Sequence, residues 1–140
     1  MKRSFLFKVG VCLLALFIVL YLTACLAFSI TFNRILKEVN HSKSYDDVKS
    51  FIYINKDVYE QLNAKMSFID EQTDELKDSY SSSFPIALIG INKCKIYYRY
   101  SYYVYDENGD VAAGCKDTDA NVTIQFIDGK FTITKYWEHI

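Results

Sequence analysis

Proline and tryptophan each occur once in this chain, and histidine twice. A single proline excludes a proline-rich linker, and no low-complexity stretch or internal repeat is present. His41 and His139 are far apart and share no ligand spacing, so no metal site is expected. The five glycines form no phosphate-binding loop. Nucleophile elbows and paired catalytic carboxylates are also missing, so no residue supports an enzyme and no cofactor is implied. The net charge of -1 gives no basic excess for nucleic acid.

What is abundant is apolar sequence at the start. Val9 to Phe32 is a 24-residue stretch without a charged side chain. At about 1.5 Å per residue, about 20 helical residues cross a bilayer's hydrocarbon core. Lys2, Arg3 and Lys8 precede the run and favour a cytoplasmic N-terminus. Arg34, Lys37 and Lys43 flank the other end and weaken that bias. Within the run, Leu22-Thr23-Ala24-Cys25 has the form of a lipobox, with Cys25 as the residue that would carry lipid. A lipoprotein usually continues with a polar tether, whereas this chain continues with "LAFSITF". A retained transmembrane helix and a cleaved lipoprotein signal peptide both tether residues 33–140 to the cell membrane, outside the cytoplasm. The expected organisation is an anchor or signal over 1–32 and an extracytoplasmic domain over 33–140.

From Asn33 onward, 13 of the 16 basic residues face all 17 acidic ones, a mildly acidic balance of -4. The first helix is expected to continue through "NRILKEVNH" and break near His41-Ser42. Ser44 is a candidate cap for a short helix carrying Asp46 and Asp47 in its first turn, with Tyr45, Val48, Phe51 and Ile52 on one side. A longer helix is expected from Lys56 to Lys77 behind Asn55. There Val58, Leu62, Met66, Ile69 and Leu76 recur at helical spacing. "DSYSSSFP" should end it.

Beyond Ile86 the period changes to two. Cys94, Ile96, Tyr98, Tyr100, Tyr102 and Val104 fall on one strand face, and Lys93, Lys95, Tyr97, Arg99, Ser101 and Tyr103 on the other. Asn108-Gly109 and Asp128-Gly129 are hairpin turns. The second pairs Phe126 with Phe131 and Ile124 with Ile133, which agrees with the apolar pattern as it runs on toward Trp137. Asp106, Asn108 and Asp110 imitate the start of a calcium loop, but Val111 stands where the glycine belongs. The fold class is α+β, with helices on one face of a three- or four-stranded antiparallel meander.

"KCKIYYRYSYYVYDENG" and "NVTIQFIDGKFTITKYWEH", behind short helices and one anchor, resemble the cystatin-like or nuclear-transport-factor-2-like domains of small exported bacterial proteins. The closing strand, Asp-Gly turn and aromatic final strand over residues 122–137 carry the resemblance. It implies a fold that serves inhibitors, ligand binders, enzymes and assembly subunits, so it implies no single activity.

Two candidate sites follow from the tyrosine-rich strand. Tyr98, Tyr100 and Tyr102 point toward the helices and could line a small-ligand pocket, or simply fill the core. Tyr97, Arg99 and Tyr103 point away and form a candidate contact patch for a protein partner. Cys94 and Cys115 are an even pair that an oxidising compartment could join. The hairpin register sets Cys115 opposite Tyr102, on the order of 26 Å along the strand from Cys94, which argues against a bridge. The expected role is a membrane-tethered, non-enzymatic interaction or assembly module, the alternative a ligand-binding lipoprotein.

Overall fold

The computed structural model describes residues 2–50, 52–68 and 77–139. One helix, α1 (Lys2–His41), takes up the whole apolar run and continues past it without a break. Along its first half the described side chains are exposed on every side. Buried positions then appear at Cys25, Ser29, Phe32, Leu36 and Val39, spaced four and three apart. That is a single helical stripe, and it lies against the sheet. The second half of α1 is therefore part of the domain core. A boundary at 32/33 falls inside this packed half, and the expected anchor segment "LAFSITF" supplies core residues Phe28 and Phe32.

After α1, the Asp47 carboxylate accepts hydrogen bonds from the Lys43 and Ser44 amides at 3.0 Å, opening the one-turn α2 (Tyr45–Val48). Asn55 caps α3 (Lys56–Leu62), its Oδ1 accepting from the Val58 amide at 2.8 Å. The helix expected to reach Lys77 ends at Leu62. Asn63 is extended, with ψ of 101°, and a 3-10 turn follows over Ala64–Ser67. Asn63 side-chain bonding competes with the helical ladder here: its Oδ1 accepts from the Lys65 amide at 3.0 Å. Of the expected apolar stripe, Ile69 and Leu76 lie outside the described residues, as does Phe51.

Among the described residues the sheet has five strands, one or two more than the sequence pattern implies. They are β1 (Lys77–Ser82), β2 (Ile86–Ile89), β3 (Lys93–Tyr105), β4 (Val111–Ile127) and β5 (Lys130–His139), all antiparallel. Strand β3 is long enough to take β1 and β2 end to end along one edge. The segment expected only to terminate a helix is thus strand β1. Pairing with the tyrosine-rich half of β3 outweighs the weak strand propensity of its serines. Pro85, which has no amide hydrogen, stands at the break between the two edge pieces.

The first hairpin follows the expected register, with Tyr102 opposite Cys115 and Val104 opposite Ala113. Its loop is closed by the Asp106 carboxylate, which accepts from the Asn108 and Asp110 amides, so the acidic turn is bound to its own backbone. Only Gly109 takes a positive φ there, at 86°. Asp128 and Gly129 both do so in the second turn, and Phe126 faces Phe131 as expected.

Three irregularities reset the ladders, one of them at the hairpin end of β3 between Val104 and Tyr105. One extra residue on β4 near Asp117, at φ 51°, shifts the pairing beyond Tyr100. Another lies on β5 between Ile133 and Lys135. Past it, Tyr136 and Glu138 point to the helix side and Trp137 to the outside, the reverse of an unbroken alternation.

Candidate functional site

The outer face of the sheet is built from the odd-numbered positions of β3. Ile86, Tyr97, Asn121 and Trp137 form one cross-strand row. Arg99, Asp119 and His139 form the next. The Arg99 guanidinium grips the Asp119 carboxylate with two hydrogen bonds, Nε to Oδ1 at 2.8 Å and Nη2 to Oδ2 at 3.2 Å. Arg99 holds the Asp119 carboxyl below the usual range, and Asp119 raises the Arg99 guanidinium in turn. Both groups are largely exposed, so the pair contributes little to stability. Its effect is to neutralise the middle of an apolar surface. The Trp137 ring lies almost parallel to the His139 ring, 7° apart with centroids at 5.9 Å. Phe84 adds a half-exposed ring from the break between β1 and β2. These groups bound a shallow depression of about 560 Å³.

Of the three expected contact residues, the structure brings Tyr97 and Arg99 together here. Tyr103 lies further along β3, opposite Gly114 and next to the Tyr105 ring at 6.5 Å. Trp137 was not legible as part of this face, because the β5 irregularity turns it outward.

Among the described residues, Tyr98, Tyr100 and Tyr102 fill the space between sheet and helices. All three are buried and packed, with Phe32 5.8 Å from Tyr98 and Phe68 5.2 Å from Tyr102 by ring centroids. Burial holds their hydroxyls well above the ordinary phenol range, so they remain neutral. The Tyr100 hydroxyl donates to Glu138 Oε2 at 2.5 Å, and the Tyr136 hydroxyl donates to the same oxygen at 2.8 Å. Glu138 is thus a structural acceptor that no sequence motif marked. An apolar cavity of about 290 Å³ lies between α1 and the β4–β5 hairpin. It is lined by Phe28, Phe32, Ile52, Ile124, Phe131 and Ile133 among others, and by none of the three tyrosines.

Cys94 and Cys115 are unbonded, as the register requires: Cys94 pairs across with Ile124, and Cys115 with Tyr102. Burial, with Cys25 nearby, pushes the Cys94 thiol up to about 11, which removes it as a nucleophile at neutral pH. Cys25 is buried in the middle of continuous helix. Among the described residues no group of three or more His, Cys, Asp or Glu side chains could hold a metal ion. No family model and no curated protein matches this chain.

Proposed function

We propose that this chain is a membrane-tethered, extracytoplasmic, non-enzymatic interaction module that holds a protein partner on the outer face of its sheet. The carrying observation is the row Ile86, Tyr97 and Trp137, exposed beside an internally neutralised Arg99–Asp119 pair. Exposed aromatics with arginine at their centre are the composition of contact sites. The helix-then-meander order keeps a cystatin-like or nuclear-transport-factor-2-like kinship as the family proposal, with no activity attached to it.

The test is a photo-crosslinking residue at Phe84 in the full chain in cells. The expected result is one discrete protein adduct, lost when Tyr97→Ser and Trp137→Ser are introduced and kept with Tyr103→Ser. An adduct indifferent to Tyr97 and Trp137, or none, rejects the reading. For the anchor, we propose a retained spanning helix rather than lipid on Cys25. Intact mass from membranes with Met1 and no lipid is expected, and a diacylated Cys25 start would replace the helix by a lipoprotein. Protease added outside sealed cells should digest the domain.

A ligand-binding role, as a second reading, now rests on the apolar cavity beside Phe28 and Ile133 rather than on the tyrosines. Its lining suits an acyl chain. Retention of a fatty acid in native mass spectra, lost with Ile133→Trp, would favour it.

A further inference from the structure

The helix reaches the sheet before it has travelled the thickness of a bilayer. Tyr21 stands thirteen positions beyond Lys8, the last charge before the apolar run. That is about 20 Å of helix, against a hydrocarbon core of about 30 Å. Measured from Arg3 instead, the length is still only about 27 Å, and any tilt shortens its projection. Yet Tyr21 is already joined to the domain: its hydroxyl donates to the Ile89 carbonyl at 3.1 Å. One turn beyond Cys25, the Phe28 ring meets the Phe131 ring edge-on at 5.3 Å. The loop after β2 and the β4–β5 turn therefore stand beside the part of α1 that a spanning helix keeps within or just above the hydrocarbon.

That end of the sheet exposes large apolar side chains beside the polar turn residues Asn92, Asp128 and Lys130. Ile91, at the tip of the β2–β3 loop, is completely exposed, at 101%. Phe126 and Phe131 pack on each other at 5.0 Å and are each more than half exposed. On α1 itself, the Phe28 ring joins this patch to the helix, where Leu26 and Ile30 are also exposed. An apolar patch continuous with an apolar membrane helix has the bilayer as its natural cover.

We propose that Ile91, Phe126 and Phe131 are inserted into the interfacial layer of the leaflet from which α1 emerges, so that the domain is seated in the membrane and not held above it. The proposal deepens the spanning-helix reading and rests on it. Lys93, exposed at the start of β3, extends from the same end to the headgroups.

The test uses the full chain, with Trp137→Phe, in phosphatidylcholine–phosphatidylglycerol vesicles, some made with lipids brominated on the acyl chain. Single reporters are Ile91→Trp, Phe126→Trp and Phe131→Trp at the rim, Phe17→Trp in the helix and Val111→Trp at the far hairpin. Bromolipid is expected to quench the rim and helix reporters and to leave position 111 bright. Quenching at 17 without quenching at 91, 126 or 131 overturns the seating alone. No quenching at 17 overturns the spanning helix and the seating with it. A rim reporter shielded from acrylamide but untouched by bromolipid overturns the seating in favour of a protein contact.

Discussion

The Ser29 hydroxyl accepts a hydrogen bond from the Ala87 amide at 2.9 Å, joining the middle of α1 to the open side of edge strand β2. Both residues are buried. Among the described residues strand β2 pairs only with β3, so its outward amides would otherwise be orphaned beneath the helix. Ser29→Ala leaves the Ala87 amide unpaired and should cost about 1–3 kcal/mol. Ser29→Thr, which keeps the acceptor, should cost less. Urea unfolding of the detergent-solubilised chain, followed by Trp137 fluorescence, measures both. Equal midpoints for Ser29→Ala and the parent chain would refute the role.

Asn63 ties the ends of two helices together. It is fully buried, and its Nδ2 donates to the Val39 carbonyl at the end of α1 at 2.8 Å. Asn40 reciprocates by accepting from the Ala64 amide at 3.0 Å. The Val39 carbonyl also accepts from the Ser42 hydroxyl at 2.6 Å. Asn63→Leu removes the tie to that carbonyl and the acceptor of the Lys65 amide, and should cost about 1–3 kcal/mol, with amide exchange accelerating first in residues 39–42. Exchange that speeds up uniformly across the domain would contradict this local linkage.

Gly114 is the one strand glycine with no room for a methyl group. A Cβ there would collide with the Tyr102 carbonyl oxygen and sit 2.7 Å from the Tyr103 ring. Gly114→Ala must displace the β3–β4 ladder beside the Asp117 irregularity, at about 1–3 kcal/mol. Thermal unfolding should move down accordingly. Gly109→Ala is a useful comparison, since space is open there and only its positive φ opposes it.

Alkali should unfold the domain through its tyrosines. Tyr98, Tyr100, Tyr102 and Tyr136 are held above the free phenol value chiefly by burial. A folded-state pKa raised above the unfolded one contributes stability in full below about pH 10 and loses it as pH rises further. Absorbance at the phenolate band should therefore show these residues ionising together with loss of structure. Their ionisation in a chain that keeps its near-ultraviolet circular dichroism would exclude the mechanism.

Much of the sheet was readable because period two and two Xaa-Gly turns constrain each other. The Tyr102–Cys115 and Phe126–Phe131 pairs follow from counting outward from the turns. The failures have local causes. The serines of β1 carry no strand signal, and only the unpaired edge of β3 recruits them. The β5 irregularity inverts Trp137 and Glu138, and nothing in "TITKYWEH" announces it. The cover of the sheet was hidden for another reason. Phe32, Leu36 and Val39 have core spacing, but the apolar run before them reads as membrane, and one helix carries both patterns.

That shared helix leaves the molecule without a joint between anchor and sheet. Residues 5–41 form one continuous rod, and the sheet is packed along its upper half. On the spanning-helix reading proposed above, a rod seated in a bilayer carries the sheet with it as one piece. On the interaction-module reading, the partner held at Tyr97 and Trp137 is then a neighbour in the same membrane. Binding would be a two-dimensional search, in which surface density rather than bulk concentration sets occupancy.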